Sequence, residues 1–192
     1  MDDYKALSGI ELMSKVGEYD SKALVELYVR YAPILYSLIK KIVKDKTRAQ
    51  EILTDVFVIV WKNEDSSKIS AASVYTWMIT LARNKAVDTK RRDENPEGMQ
   101  EYNDDYEDRF IIPKLSKIID PIDLKKALAL QEKFERALNN LTDAQKFVLN
   151  LAYYEGKTHS EIAKKLNIPA ATIKSKIKLS LANLKQNLIS GK

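Results

Sequence analysis

The sequence predicts an all-α protein of two small helical domains joined by an acidic linker, the C-terminal domain being a helix–turn–helix. Three observations carry that prediction. Hydrophobic residues make up 45% of the 192-residue chain, and they recur at helical spacing rather than alternating. Glycine and proline number only five each, too few to turn many short strands. Charge is distributed unevenly: Lys and Arg outnumber Asp and Glu by only 32 to 27, but acids crowd the middle and lysines the end. At ~150 residues per domain, the length allows one domain or two small ones. No cysteine and a single histidine exclude disulfides, thiol nucleophiles and multi-histidine metal sites, so no cofactor or metal is expected. The opening MDDYKALSGIELMSK has neither a basic n-region nor an apolar h-region, and the longest apolar run, Val56 to Trp61, falls well below the ~20 residues of a membrane span. A cytoplasmic protein without a membrane span is expected.

The elements follow from period and caps. Ser8 and Glu11 form an S-x-x-E capping box that opens a helix over about 9–17. Asp20 or Ser21 caps the next segment, Lys22 to Lys44, in which Leu24, Leu27, Tyr28, Tyr31, Leu35, Leu38, Ile39 and Ile42 keep helical spacing and Pro33 should introduce a bend. Thr47 is placed to cap a third helix over 48–62, and a polar loop then leads to a fourth over 72–92 that ends in Lys90-Arg91-Arg92. Residues 1–92 form the first expected domain.

Composition then shifts. Residues 93–113 hold eight acids against one base, Arg109, a net charge of −7, and the linker is assigned to 93–123. Regular pattern resumes near Leu124 with Leu128, Phe134, Leu138 and Leu141, so the second domain is 124–192. Thr142 with Gln145 and Thr158 with Glu161 form two further capping boxes, and Asn167-Ile168-Pro169 separates the second of these helices from a final one over about 170–189. From Ile162 to Lys192 there are seven lysines and no acid.

Three helices carry candidate sites. The C-terminal pair has the pattern of a DNA-binding helix–turn–helix, with Ile162, Ala163 and Leu166 placed to pack on Ile173 and Ile177. Its last helix separates an apolar face (Ile173, Ile177, Leu181, Leu184, Leu188) from a basic one (Ala171, Lys174, Ser175, Lys178, Lys185), which suits contact with base edges and phosphates. A solvated lysine face on an ordinary hairpin is the plain alternative.

The 72–92 helix places Tyr75, Met78, Ile79, Leu81, Ala82 and Ala86 on an expected core arc. Thr76, Thr80, Arg83, Asn84, Val87, Lys90 and Arg91 lie opposite, with Trp77 and Asp88 at the margin. An indole beside a basic, amide-bearing stripe suits stacking on unpaired bases, and a core Trp with an exposed edge accounts for it equally well. On the 48–62 helix, Ile52, Leu53, Val56, Phe57, Val60 and Trp61 point inward. Val58 instead falls among Glu51, Asp55 and Lys62, with Ile59 at the border. Branched apolar residues on an acidic outer face suit a helix that packs on a partner protein, although isolated surface apolar residues are common.

In this order the pieces resemble an extracytoplasmic-function sigma factor of the sigma-70 family. ALVELYVRY (23–31) looks like the family's opening helix, AQEILTDVFVIVW (49–61) like its polymerase-binding helix, VYTWMITLARNKAVDTKRR (74–92) like its minus-ten and melting segment, and 141–188 like its minus-thirty-five domain. The resemblance implies that Glu51, Thr54, Asp55, Val58 and Ile59 meet the clamp helices of the largest subunits of RNA polymerase core. It further implies that the 63–72 loop, through Ser66, Ser67 and Lys68, captures a flipped base. Trp77, Thr80, Arg83, Asn84, Asp88 and Arg91 would then line the strand-separation site, with Ala171, Thr172, Lys174, Ser175 and Lys178 reading the minus-thirty-five element. The implied partners are core polymerase, including its flap, promoter DNA and an anti-sigma factor.

The chain departs from the family pattern where Leu179 and Leu181 stand in place of common arginines and His159 in place of a common aromatic. Lysines outnumber arginines 25 to 7, which favours phosphate contact over bidentate guanine reading. A helix–turn–helix regulator acting on duplex DNA alone explains 141–189 but neither the aromatic-basic helix nor the acidic segment. The enzyme alternative rests on Asp104-Asp105-Tyr106-Glu107-Asp108, a literal D-D-x-x-D without a second acidic motif or phosphate loop. An enzyme is not expected.

Overall fold

Side-chain caps mark where most of the helices begin. The computed structural model describes residues 4–62, 74–94 and 131–190 (side chains from 133 in the last stretch). They form eight helices and no strand among the described residues. Residues 95–123 of the expected linker, residues 63–73, and residues 124–130 of the expected second domain lie outside them.

The first unit contains α1 (Gly9–Gly17), α2 (Ser21–Val43), α3 (Lys46–Lys62) and α4 (Val74–Glu94). Both halves of the Ser8–Glu11 capping box form, and the Asp20 carboxylate accepts from the amides of Lys22 and Ala23 to start α2. Between the two helices, Tyr19 adopts a left-handed φ of 61°. The Asp20 amide reaches back to the Lys15 carbonyl at 3.0 Å, closing α1 in a Schellman arrangement. At α3 the carboxylate that accepts from the Arg48 amide, at 2.7 Å, belongs to Asp45 rather than to the expected Thr47. The helix accordingly begins two residues earlier.

Helix α2 passes through Pro33 without interruption. Pro33 and Val29 are both exposed, so water can serve the Val29 carbonyl that the proline leaves without its helical donor. Leu27, Tyr31, Leu35, Ile39 and Ile42 on α2 are buried with Leu12 and Val16 of α1, Val56 and Val60 of α3, and Met78, Ala82 and Ala86 of α4. Each large aliphatic side chain so buried contributes about 1.5–3 kcal/mol before entropy is counted. Gly9 shows how close the approach is: a Cβ there would lie 2.9 Å from the Tyr31 hydroxyl and 3.3 Å from Val74 Cβ.

Two arginines tie the ends down. Arg30 donates to the carbonyls of Leu7 (2.7 Å), Tyr4 (2.9 Å) and Lys5 (3.1 Å) and to the Glu26 carboxylate (2.7 Å). Arg48 grips both oxygens of Asp93, at 3.1 and 2.7 Å, and Glu51 at 2.8 Å. Asp93 and Glu94, counted above with the acidic segment, are the last residues of α4.

The second unit contains α5 (Gln131–Asn139), α6 (Asp143–Tyr153), α7 (His159–Leu166) and α8 (Ala170–Ser190), with α8 packed on the other three. Both expected capping boxes form. Asn167 turns the chain after α7 with a left-handed φ of 53°, a conformation that Asn tolerates better than most residues. Ile162, Leu151, Ile173 and Ile177 are buried together, with Leu166 and Leu181 packed against them. The Asn187 amide donates to the Ala137 carbonyl at 3.1 Å, joining the end of α8 to α5.

Candidate nucleic-acid and protein interfaces

On α3 the exposures follow the expected wheel except at Trp61, which was expected inward and is half-buried. Ile52, Leu53, Val56, Phe57 and Val60 are buried, while Glu51, Thr54 and Asp55 are exposed, Ile59 is half-buried and Val58 is 43% exposed. The two acids are not isolated. Glu51 pairs with Arg48, and Asp55 lies 3.5 Å from Lys85 of α4, a cation that wheel reasoning within one helix could not place there. On α2, Val25, Tyr28 and Val29 are also exposed, and the Tyr28 ring packs on the buried Phe57 at 4.8 Å.

Helix α4 differs from its expected wheel. Arg83 and Val87, assigned above to the solvent arc, are each 1% exposed, whereas Tyr75, Ile79 and Leu81, assigned to the core, are half-buried. The physical reason is enclosure. Helices α1, α2 and α3 all pack on α4, so no residue from Val74 to Arg91 is fully exposed and a two-faced wheel does not apply.

Trp77, Thr80, Asn84, Asp88 and Arg91 are each half-buried, which leaves part of each side chain reachable from solvent. Burial pushes the Asp88 carboxyl above the ordinary carboxylate range, against the pull of Arg92, Lys85, Arg91 and Arg83. Arg83 donates from Nη1 to the Asn84 amide oxygen at 3.2 Å. It therefore sits beneath the stripe instead of within it. Ser66, Ser67 and Lys68 lie outside the described residues.

On α8 the expected division holds in the N-terminal half, whereas Leu181, Leu184 and Leu188, expected on the apolar face, are only half-buried. Ile173 and Ile177 are buried and Ala171, Thr172, Lys174, Ser175 and Lys178 are exposed. Lys176, which the wheel did not single out, is exposed with them, and Lys185 is half-buried. His159 opens α7, and burial together with the charge of Lys174 holds its imidazole below the usual histidine value. This His159–Lys174 proximity requires the fold of the hairpin and is absent from either helix read alone. Leu179 is 57% exposed, an apolar side chain in the basic neighbourhood.

No described helix is long and apolar enough to cross a membrane. Among the described residues no three His, Cys, Asp or Glu side chains gather as a metal site, and the D-D-x-x-D stretch at 104–108 lies outside them.

Comparison with known proteins gives two family matches: Sigma-70 region 2 over residues 27–95 and Sigma-70, region 4 over residues 131–184. Among curated relatives, the ECF RNA polymerase sigma factor RpoE of Cereibacter sphaeroides is 31% identical over 180 residues, covering 93% of this chain and 94% of the relative. The ECF RNA polymerase sigma factor SigK of a Mycobacterium species is 28% identical over 177 residues, covering 92% and 89%. Among solved structures, Rhodobacter sphaeroides SigE in complex with the anti-sigma ChrR aligns over 96% of this chain and 99% of that one, at 28% identity and a TM-score of 0.46.

Proposed function

Because the chain belongs to the extracytoplasmic-function group of the sigma-70 family, whose members recognise promoters in association with RNA polymerase, we propose that it is an alternative sigma factor dividing this task among three of its helices. The outer face of α3, with Glu51, Thr54, Asp55, Val58 and Ile59, binds the clamp helices of core polymerase. The α4 stripe of Trp77, Thr80, Asn84, Asp88 and Arg91, with Ser66, Ser67 and Lys68 of the preceding loop, holds the opened minus-ten strand. Ala171, Thr172, Lys174, Ser175 and Lys178 of α8 read the minus-thirty-five element, and the second unit also meets the flap.

The chemistry is binding without turnover. Opening duplex DNA costs a few kcal/mol of unpairing and unstacking per step, and aromatic stacking at about 1–3 kcal/mol per base, together with phosphate contacts, offsets it. An anti-sigma factor that covers these surfaces is a further expected partner, and the cytoplasm is the expected location. A regulator acting on duplex DNA alone leaves the region 2 match unexplained.

Val58 carries the reading. A branched apolar side chain 43% exposed on the same face as Glu51 and Asp55, opposite the buried Ile52, Leu53, Val56 and Val60, is what a protein-docking surface requires. Asp55→Arg combined with Val58→Asp should weaken binding to core polymerase, measured by comigration on gel filtration, with helical circular dichroism unchanged. Equal affinity of variant and parent for core removes the assignment.

A further inference from the structure

Arg83 is the largest side chain less than 2% exposed among the described residues. A guanidinium cannot shed its charge, so its burial has to be compensated by acceptors and a counter-charge. The half-buried Asp88 carboxyl feels the Arg83 charge, and Asn84 Oδ1 accepts from Nη1 at 3.2 Å. The second contact fixes more than Arg83. A guanidinium has donors and no acceptor, so only the carbonyl end of a neighbouring amide can face it. The Asn84 NH2 group is thereby turned away from Arg83. Asn84 is half-buried, and this amide nitrogen has no partner among the described residues.

We infer that Arg83 is a positioning residue that locks the Asn84 amide with its NH2 outward, so that this point of α4 acts as a fixed hydrogen-bond donor selecting an acceptor edge on an unpaired base. The inference rests on the reading of α4 as the element that meets the opened strand, and it adds the polarity of one contact to that reading. It also gives the buried Arg83 a role without requiring it to touch DNA. An Asn free to rotate would offer donor or acceptor equally and would discriminate poorly between base edges.

The test uses the full chain reconstituted with core polymerase and a library of fork-junction DNA randomised across the opened non-template strand, with bound molecules sequenced. The parent should show a preference of about tenfold at one position for bases presenting an acceptor. Asn84→Asp keeps the oxygen that Arg83 holds but replaces the outward donor with an acceptor, so it should abolish or invert that preference. Arg83→Lys still offers donors alone and should retain it. Arg83→Met should flatten it while Trp fluorescence reports a folded first unit.

If Arg83→Met does not fold, Asn84→Asp and Arg83→Lys decide the matter. Unchanged preference in Asn84→Asp overturns the inference, as does a flattened preference in Arg83→Lys. A uniform loss of binding in Asn84→Asp, with preference intact, also overturns it and assigns the contact to phosphate. Trp77→Ala separates this from the parent reading: if it leaves strand opening intact, the assignment of α4 itself falls, whereas lost opening with unchanged base preference in Asn84→Asp removes only the inference.

Discussion

Helices α4 and α8 are each 21 residues long and both are proposed to meet DNA, yet they are built in opposite ways. Helix α4 is surrounded by three helices, and its candidate contact residues are half-buried, interleaved along the helix with the buried Val74, Met78, Ala82, Arg83, Ala86 and Val87. Helix α8 keeps its candidate residues fully in water above a separate buried row, Ile173 and Ile177. Structure and recognition thus share side chains in the first unit and are divided between faces in the second. Substitutions should couple folding to binding on α4 and leave them separable on α8.

The largest effect should come from testing that coupling at its centre. Met78 is fully buried, and Met78→Ala should cost about 2–5 kcal/mol. Because Trp61 and Trp77 are the two tryptophans of the chain and both lie in the first unit, denaturation followed by Trp fluorescence reads that unit alone. A midpoint unchanged from the parent would mean that α4 is not enclosed. Thr158→Ala should have a smaller effect, about 1 kcal/mol, through loss of the capping box that starts α7. Circular dichroism should register it while Trp fluorescence does not, and a shift of both signals would contradict a purely local loss of the cap.

Lys178→Ala sharpens the contrast from the other side. Its effect on stability should stay within about 0.5 kcal/mol. It should nevertheless flatten the slope of log affinity against log salt by about one unit if the side chain neutralises a phosphate. An unaltered slope and unaltered sequence preference would remove Lys178 from the interface.

The smallest effect concerns the single histidine. Burial and Lys174 lower the His159 value in the folded protein, so its neutral form is favoured there. The associated stability is present above the unfolded value near 6.5 and is lost as pH falls through it toward the folded value. Its imidazole resonance should titrate below the usual range in the free protein and move upward when a DNA phosphate settles beside Lys174. No movement on DNA binding would place this end of α7 away from the backbone.

Sequence legibility follows the range of the interactions. The capping boxes at Ser8, Thr142 and Thr158, and the Asp20 cap, were readable because donor and acceptor lie within three residues of each other. The α8 faces were readable because that helix has one wet side and one dry side. For α4 the same wheel failed at Arg83 and Val87, since enclosure by three partners is a tertiary fact that a single helix's period does not encode. Asp45 displaced Thr47 as the cap of α3 although either residue type can serve. The Lys85–Asp55 and Arg48–Asp93 pairs cross between helices and left no local signal. Arg48 raises the contrast further, since its hydrogen bonds hold the Asp93 carboxyl below the ordinary range in a residue that composition alone assigned to a linker.

The grip of Arg30 on the first residues bears on the timing of synthesis. Its carbonyl acceptors at Leu7 and Tyr4 precede it by 23 and 26 residues, which at about 5–20 residues per second amounts to a delay of roughly one to five seconds on the ribosome. Throughout that interval residues 4–7 have passed the peptidyl-transferase step without their fastening, and α1 has only the first turns of α2 to lie against. The segment ahead of α1 is therefore made before it can be fastened, and it waits on a side chain in the second helix.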